Sequence, residues 1–530
     1  MAGPPAGGIG RCVPGAVIGK VPMWEEKTTS FIDLKLPKLL RVALFSIAVA
    51  YLVVYLWMAY YRLRYPFDLE WIEGGMVNEV KRLLQGQGLY TAPGISYVPF
   101  LYPPVYFYLS GLAARIFGIG YFPLRLVSFL ASLVSFMTIF LIVHAETRSA
   151  WAAILSTALF AAAFRLTGAW LDIARVDSLF LALWLLSIYF VRNRSSLRYA
   201  VLSGILAGLA YLTKQTALIA CVPILIFLFW CNWKYALTFL AAATLLVGIT
   251  TLVLNQASSG WYSYYVFGLL SQQTEWLPQE FVSFWVADLL VHIPLASLFA
   301  VFFLLGRPKV ADRLALLQWL SILTGALAGS FITRVKIGGY DNVLLLAYAV
   351  LAILFGLGLA GLSTLVRQVR SDLSGRLEIM VLLACLVQLI ILFYNPFAQI
   401  PAKADLEAGN RLVKMLSEVK GAVFVPDHSY LPALAGKDTY ANNSAIWDVL
   451  RGDAQTKGKQ LLSADIQNAI RQQKFAEIVV DGNLDLYWCC NGIDQYYTRV
   501  GEVFQDPAVF YTVTGDKKRP TYIYIADRLK

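Results

Sequence analysis

The chain has 530 residues, of which 58% are hydrophobic and only 15% are charged. This composition is typical of membrane proteins and sets the chain apart from soluble globular domains. The formal net charge of +11 does not require a nucleic-acid partner, because basic residues in membrane proteins mark cytoplasmic loops. We therefore expect membrane lipid, and no nucleic acid, among its partners.

Residues 1–38 contain many Gly and Pro residues and no long apolar run. They predict a disordered cytoplasmic tail and not a cleaved signal peptide. The segment from Leu39 to Tyr60 then supplies about twenty apolar residues, which is the length that a hydrocarbon core of about 30 Å requires. We expect it to be a retained membrane helix.

Apolar length predicts ten further spans, so the fold class is an α-helical polytopic membrane protein with about 11 transmembrane helices. They cover residues 123–143, 150–165, 177–191, 199–212, 216–231, 235–254, 283–305, 314–333, 343–365 and 378–395. Basic residues occupy every second loop. By the positive-inside rule, the N-terminus is cytoplasmic and the chain after about Asn395 is extracytoplasmic.

The segment 101–118 is an exception, because it is short, begins near Pro103-Pro104 and carries Gly111. If it crossed the membrane, Asp68 and Asp177 would lie on opposite faces. We expect it to lie in the outer interface or to re-enter it.

Charged residues gather at the predicted outer ends of the spans, and the first outer loop (61–100) is the most acidic. The set comprises Asp68, Glu70, Glu73, Asp172, Arg175, Asp177, Lys214, Arg334, Lys336 and Asp341. A single charge at a helix end can be a solvated anchor, but a set on one face indicates a functional cavity. Carboxylates beside cations suit transfer of a group from a lipid phosphate: an acid takes the acceptor proton, and Lys or Arg stabilises the departing phosphate.

The cations Lys214, Arg334 and Lys336 run against the positive-inside bias, so each needs a local anionic partner. A polyprenyl phosphate is one such partner, and ordinary lipid headgroups are the alternative. Glu73, Tyr102, Arg175 and Asp341 are weaker substrate-binding candidates.

Three motifs follow one another along the chain. They are Asp68-Leu69-Glu70 followed by Tyr102-Pro103-Pro104, then residues 174–179 around Asp177, then the Gly-rich residues 204–216 that end in Lys214. This order resembles the GT-C fold glycosyltransferases of the protein O-mannosyltransferase, aminoarabinose transferase and RgtA/B/C/D-like superfamily. The resemblance is carried by residues 39–260 and continues to residue 395 only in hydropathy.

The resemblance implies a catalytic base at Asp68, with Glu70 completing the acidic pair, a second essential acid at Asp177 and a lipid-phosphate ligand at Lys214. It also implies a polyprenyl-phosphate-sugar donor and inversion at the anomeric carbon. Some members require a divalent metal, and Glu70 could help to hold Mg²⁺ or Mn²⁺, although no metal site is firmly indicated. One departure is Tyr102, where many members have a lysine.

The three histidines, His144, His292 and His428, are too dispersed to suggest a ligand cluster, and we expect each to be packed or solvated. Residues 39–397 therefore form the predicted catalytic membrane domain. Residues 398–530 turn polar and alternate helix-like segments with strand-like ones near 422–426, 476–480, 508–513 and 521–526, which predicts an extracytoplasmic α/β domain. This domain could bind the acceptor or brace the membrane part.

We therefore expect a glycosyltransferase of the plasma (inner) membrane that moves a sugar to a glycan, lipid or protein acceptor on the outer face. A transporter or flippase of lipid-linked sugars is the main alternative, and a non-catalytic assembly protein is a third. Transporters tend to have internal repeats and charge near the bilayer midplane, neither of which the sequence indicates.

Overall fold

The computed structural model describes residues 24–194, 196–306, 310–369, 371–482 and 492–529. Residues 1–23 of the predicted tail lie outside this part of the chain. The first helix, α1, begins at Trp24, so the rest of the predicted tail is helical.

Helices dominate residues 24–391. They are α1 (Trp24–Arg64), α2 (Glu73–Leu84), α3 (Val105–Phe117), α4 (Tyr121–Thr147), α5 (Ala150–Ala162), α6 (Asp177–Val191), α7 (Leu197–Tyr211), α8 (Thr216–Cys231), α9 (Trp233–Ala257), α10 (Trp261–Ser263), α11 (Leu270–Gln272), α12 (Glu280–Ser283), α13 (Pro294–Leu305), α14 (Val310–Arg334), α15 (Leu345–Val366) and α16 (Ser371–Ile391). Two π-helical segments, Tyr264–Leu269 and Phe284–Val291, and a 3₁₀ turn, Asp341–Leu344, lie between them.

Each of the eleven predicted spans coincides with a helix or with a broken helix. Within the described residues, six helices are long and apolar enough to cross a membrane, and a bent pair makes a seventh. The other four predicted spans are the shorter apolar helices α5, α6, α7 and α8. The helical membrane architecture is confirmed, whereas the count of eleven stays a prediction. The segment predicted to lie at the interface forms α3, a helix of 13 residues.

The predicted span 283–305 is not one straight helix, because the chain bends by 92° between Val291 and Pro294. Pro294 has no backbone N–H and begins the next helix, which explains the position of the break. The buried side chain of Gln388 fills this break. Its amide donates to His292 O at 3.0 Å and accepts from the backbone of Leu295 and Ala296, both at 3.0 Å.

Helix α15 is the most deeply buried of the candidate spans, with 89% of its most apolar window inside the protein. It packs against α13, α5, α14 and α4. At one end of this bundle the loops before α2, before α6, between α7 and α8, and before α15 come together. These loops carry most of the predicted site residues.

The C-terminal region (residues 398–482 and 492–529 as described) contains α17 (Lys403–Glu418), α18 (Leu431–Leu434), α19 (Asn443–Leu450), α20 (Lys457–Arg471) and 3₁₀ turns at Ile493–Gln495 and Asp527–Leu529. A further 3₁₀ turn, Pro396–Gln399, leads into it. Its four-stranded sheet has the order β1-β2-β4-β3, with β1 (Val423–Phe424), β2 (Glu477–Val480), β3 (Tyr497–Glu502) and β4 (Tyr522–Ala526). Strands β1 and β2 are parallel, and the other pairs are antiparallel.

This sheet confirms the mixed α/β character of the region. The strand predicted at 508–513 is wrong. That segment turns instead, with Thr512 N donating to Lys518 O, and Thr514 N then reaches back to Leu69 O at 2.9 Å. The apolar core of the region is also continuous with that of the loop after α2, since Phe424 and Ile466 share one buried cluster with Val80 and Ile95.

Candidate active site

The loop between α1 and α2, residues 65–72, is termed the acidic loop. Within it, the fully buried Glu70 accepts a hydrogen bond from Arg175 Nη1 at 2.8 Å and one from Ile72 N at 3.1 Å. Burial raises the pKa of Glu70 to about 7, although Arg175 opposes the shift. A carboxyl group with a pKa near neutrality is suited to accepting a proton.

Asp177 and Lys214, which the resemblance implied for the site, are in contact. Asp177 is the first residue of α6, and Lys214 lies in the short link between α7 and α8, with Nζ 2.6 Å from Asp177 Oδ1. Asn342 Nδ2 donates to the same oxygen at 2.9 Å. The second oxygen, Oδ2, is buried and has no hydrogen-bond partner among the described residues. Its capacity to accept a hydrogen bond is therefore unused.

Arg175 connects Glu70 with the pair formed by Asp177 and Lys214. Its Nη2 donates to the hydroxyl of Tyr102 at 2.8 Å, and its chain position is two residues before Asp177. Burial disfavours its charge, but Glu70, Tyr102 and Asp177 outweigh this effect and raise its pKa. Five of the predicted residues thus form one cluster, termed the transfer cluster: Glu70, Tyr102, Arg175, Asp177 and Lys214.

An aromatic wall borders the transfer cluster. The guanidinium of Arg175 lies 5.5 Å from the ring centre of Trp170 and 5.7 Å from that of Tyr102. Trp71 and Trp170 in turn pack against Tyr340, with ring centres 4.9 and 6.2 Å away. Flat apolar rings beside fixed polar groups are typical of ligand sites.

Glu73 has a different environment from Glu70. Its carboxylate pairs with Arg125 at 2.6 Å, and both side chains are fully buried. It also accepts from the backbone N–H groups of Leu69 and Ala174, each at 2.6 Å. These bonds tie the acidic loop to the segment before α6, so its position favours a structural role over the predicted substrate contact.

Asp68 shares no hydrogen bond with the transfer cluster in the described part of the chain. His428 Nδ1 is 2.9 Å from Asp68 Oδ2, and His428 Nε2 is 3.0 Å from Asp481 Oδ2. Burial raises the pKa of Asp68, and His428 opposes that rise. Burial would also lower the pKa of His428, but Asp481 and Asp68 outweigh burial and hold it well above the usual value. One oxygen of the carboxylate predicted as the base, Oδ2, therefore has a buried partner, whereas Oδ1 is buried without a hydrogen-bond partner among the described residues.

Arg334 already faces three carboxylates. Its guanidinium bonds Asp288 at 2.9 and 3.2 Å, bonds Asp341 at 3.1 Å and lies 3.4 Å from Glu280. Lys336 sits 5.5 Å from the ring centre of Trp276. Neither cation shares a hydrogen bond with the transfer cluster within the described part of the chain.

Residues 102–255, which include four of the five residues of the transfer cluster, match the family model of dolichyl-phosphate-mannose-protein mannosyltransferases. ArnT from Cupriavidus metallidurans bound to undecaprenyl phosphate superimposes with a TM-score of 0.56 at 11% identity, over 91% of this chain and 97% of that one. The chain has the GT-C fold.

Two further GT-C structures agree. Apo ArnT from the same organism has a TM-score of 0.56 at 13% identity, with the same shares of both chains covered. The Archaeoglobus fulgidus oligosaccharyltransferase in complex with Zn and sulfate gives 0.51 at 13% identity, over 82% of this chain and 68% of that one. No curated protein matches the sequence. At these identities the structural likeness establishes the fold alone.

The sequence indicated no firm metal site and offered Glu70 only as a possible ligand of Mg²⁺ or Mn²⁺. In the ranges that the structure describes, no three His, Cys, Asp or Glu side chains converge in a way that could hold a metal ion. Glu70 and Asp177 each have a cationic side chain in contact, which repels a divalent ion. The residues around Glu70 do not fit such an ion, and no step below uses one.

Sequence reasoning missed Trp170, Asn342 and Trp71 in this GT-C site, although each lies within a few residues of a predicted one. Their closeness in sequence to the motifs was the signal that could have identified them. It also missed His428, for which the sequence offered no local signal, because its partner Asp68 is 360 positions away.

Proposed function

We propose that the protein transfers a sugar from a polyprenyl-phosphate-sugar donor to an acceptor hydroxyl, with inversion at the anomeric carbon. The observation that carries this proposal is the transfer cluster, in which two buried carboxylates each contact a cation at one end of an apolar bundle. The match to dolichyl-phosphate-mannose-protein mannosyltransferases supports it, as does the GT-C neighbour bound to undecaprenyl phosphate.

Lys214 is the proposed ligand of the lipid phosphate. An ammonium has three donors, so a phosphate oxygen can bind Lys214 while Asp177 keeps its contact. Arg175 adds a second positive charge and a buried Nε without a partner among the described residues. Arg334 is a weaker choice, because its charge is already offset by Asp288 and Asp341.

Glu70 is the proposed general base. The acceptor oxygen bonds to the anomeric carbon, the bond from that carbon to the phosphate oxygen breaks, and the hydroxyl proton passes to Glu70. The lipid phosphate leaves with the electron pair of the broken bond, and Lys214 and Arg175 stabilise its charge. We favour Glu70 over the predicted Asp68 because Glu70 contacts Arg175 inside the transfer cluster, whereas Asp68 contacts His428.

We assign the transfer site and the C-terminal region to the extracytoplasmic face of the plasma membrane. The basic loops at the opposite end of the bundle support this orientation by the positive-inside rule. The donor would then enter from the lipid, and the acceptor, whether glycan, lipid or protein, from the side of the C-terminal region.

The test uses the full chain purified in detergent, a panel of radiolabelled polyprenyl-phosphate sugars and a mixed acceptor panel. We expect labelled product together with free polyprenyl phosphate. Lys214→Ala should weaken donor binding by 10-fold or more, since a charge-assisted bond contributes about 1.5–3 kcal/mol. Lys336→Ala is the matched control, because this lysine lies against Trp276 and should change binding less than threefold.

Absence of turnover with every donor, or equal losses in the Lys214 and Lys336 variants, would contradict the proposal. One observation favours the transporter alternative, since broken helices are common in transporters and the chain bends by 92° before Pro294. Gln388 fills that bend with three hydrogen bonds, which favours a fixed kink. Movement of labelled donor across vesicles without any acceptor would favour transport.

A further inference from the structure

The C-terminal region touches the acidic loop at successive residues. Asp68 is bonded through its side chain to His428, Leu69 O accepts from Thr514 N at 2.9 Å, and Trp71 O accepts from Asn442 Nδ2 at 3.4 Å. Glu70 lies between these attachment points, and its own side chain contacts Arg175 in the transfer cluster. The C-terminal region therefore contacts the acidic loop on both sides of Glu70.

The two parts approach closely at Gly74, where an added Cβ would require its neighbours to move slightly. A Cβ at Gly74 would lie 3.0 Å from Tyr430 N and 3.1 Å from Asp68 Oδ1. One turn further along α2, Asn78 Nδ2 donates to Ser429 O at 3.0 Å. The segment 427–430 thus lies directly against the acidic loop and the start of α2.

His428 is the charged centre of this contact. Both ring nitrogens face a carboxylate, and only the imidazolium can donate from both. The side chains of His428, Asp68 and Asp481 are each at most 4% exposed. Glu73, Tyr121, Tyr65 and Arg125 from the membrane part also interact with Asp68. Removal of the imidazolium would take away the cation that lies between the buried carboxylates of Asp68 and Asp481.

We infer that His428 is a positioning residue through which the C-terminal region holds the acidic loop in the conformation that presents Glu70 to the acceptor. This inference rests on the proposed function for its catalytic consequence, and on the contacts above for its structural one. It gives the C-terminal region a defined part in transfer that is separate from any binding of the acceptor.

His428→Ala tests the inference in the full chain. We expect kcat to fall about 10- to 100-fold, because small displacements of a reacting group have effects of that size. The Kd for polyprenyl phosphate should change less than threefold, since Lys214 and Arg175 make no contact with His428. Added imidazole should restore part of the rate, because it can occupy the vacated position and donate to both carboxylates.

Asp465→Asn is the matched control. Asp465 also joins the C-terminal region to the loop after α2, by accepting from Ile95 N at 2.7 Å, but it does not touch the acidic loop. We expect its kcat to stay within twofold of the wild type. Similar losses in both variants, or no rescue by imidazole, would show that His428 only helps docking and would overturn the inference.

Hydrogen exchange of the acidic loop gives a readout that needs no activity. Exchange at Leu69 and Trp71 should accelerate in the His428 variant and not in the Asp465 variant. If wild-type protein transfers no sugar while exchange changes as expected, the proposed function fails and the positioning role stands. Unchanged exchange overturns the inference. Should His428→Ala fail to fold, His428→Gln retains one donor, and an intermediate effect is then expected.

Discussion

At the scale of single residues, two carboxylates that are two positions apart in the sequence have different partners, and only one of them belongs to the transfer cluster. Glu70 contacts Arg175, and Asp68 contacts His428. The acidic loop is not a repeating strand or helix, so spacing alone does not predict which side each carboxylate faces. Sequence reasoning found both carboxylates, but the choice of base depends on partners that only the fold brings close.

A pH profile identifies the base. Burial raises the pKa of Glu70 to about 7, and a base works in its ionised form. The value of kcat/KM should therefore rise with pH and level off above about pH 7. Glu70→Gln should abolish this rise and lower kcat by about 10²- to 10⁴-fold, the range for general base catalysis.

Asp68→Asn is the comparison for this profile. An asparagine can still accept a hydrogen bond from His428, so we expect kcat to fall by about 10-fold or less, with the rise of kcat/KM below about pH 7 retained. If Asp68→Asn instead removes this rise and Glu70→Gln leaves it, the base is Asp68, as the motif resemblance implies.

At the scale of elements, apolar length predicted the spans well, because a membrane helix must present a continuous apolar run. It did not predict the break before Pro294, which was read as part of one span. A broken helix leaves backbone N–H and C=O groups unpaired in an apolar setting, and these must be satisfied by other parts of the protein. The partner is a side chain from α16, which is remote in sequence.

Gln388→Leu tests this account of the break. The substitution removes the partners of His292 O, Leu295 N and Ala296 N, so we expect the protein to lose about 1–3 kcal/mol of stability. A lower midpoint of thermal unfolding in detergent would report the loss.

Gln318→Leu is the matched control for this substitution. Gln318 is also buried, but its amide nitrogen has no partner among the described residues. Its replacement by leucine should be close to neutral or stabilising. Equal shifts in the two variants would mean that the bonds of Gln388 to the break contribute little.

At the scale of the whole molecule, the membrane part and the C-terminal region share one apolar cluster and a buried ionic contact. Sequence reasoning separated them at about residue 398, where the composition becomes polar. It could not show that they dock, because the docking contacts join positions more than 300 residues apart, as Asn78 and Ser429 do. Non-local contacts of this kind leave no periodic signal in either segment.

Gly74→Val tests whether this docking controls transfer. The space at Gly74 is filled by Tyr430 N and Asp68 Oδ1, so a branched side chain must push the C-terminal region and the acidic loop apart. We expect at least a 10-fold loss of kcat and a faster proteolytic release of the C-terminal region. Gly248→Val places the same side chain in α9 with nothing within 4 Å of its Cβ position, so it should change neither quantity by more than twofold. Wild-type turnover in the Gly74 variant would mean that the acidic loop keeps its conformation without the close approach of Tyr430, and the C-terminal region would then have to act on transfer by another route.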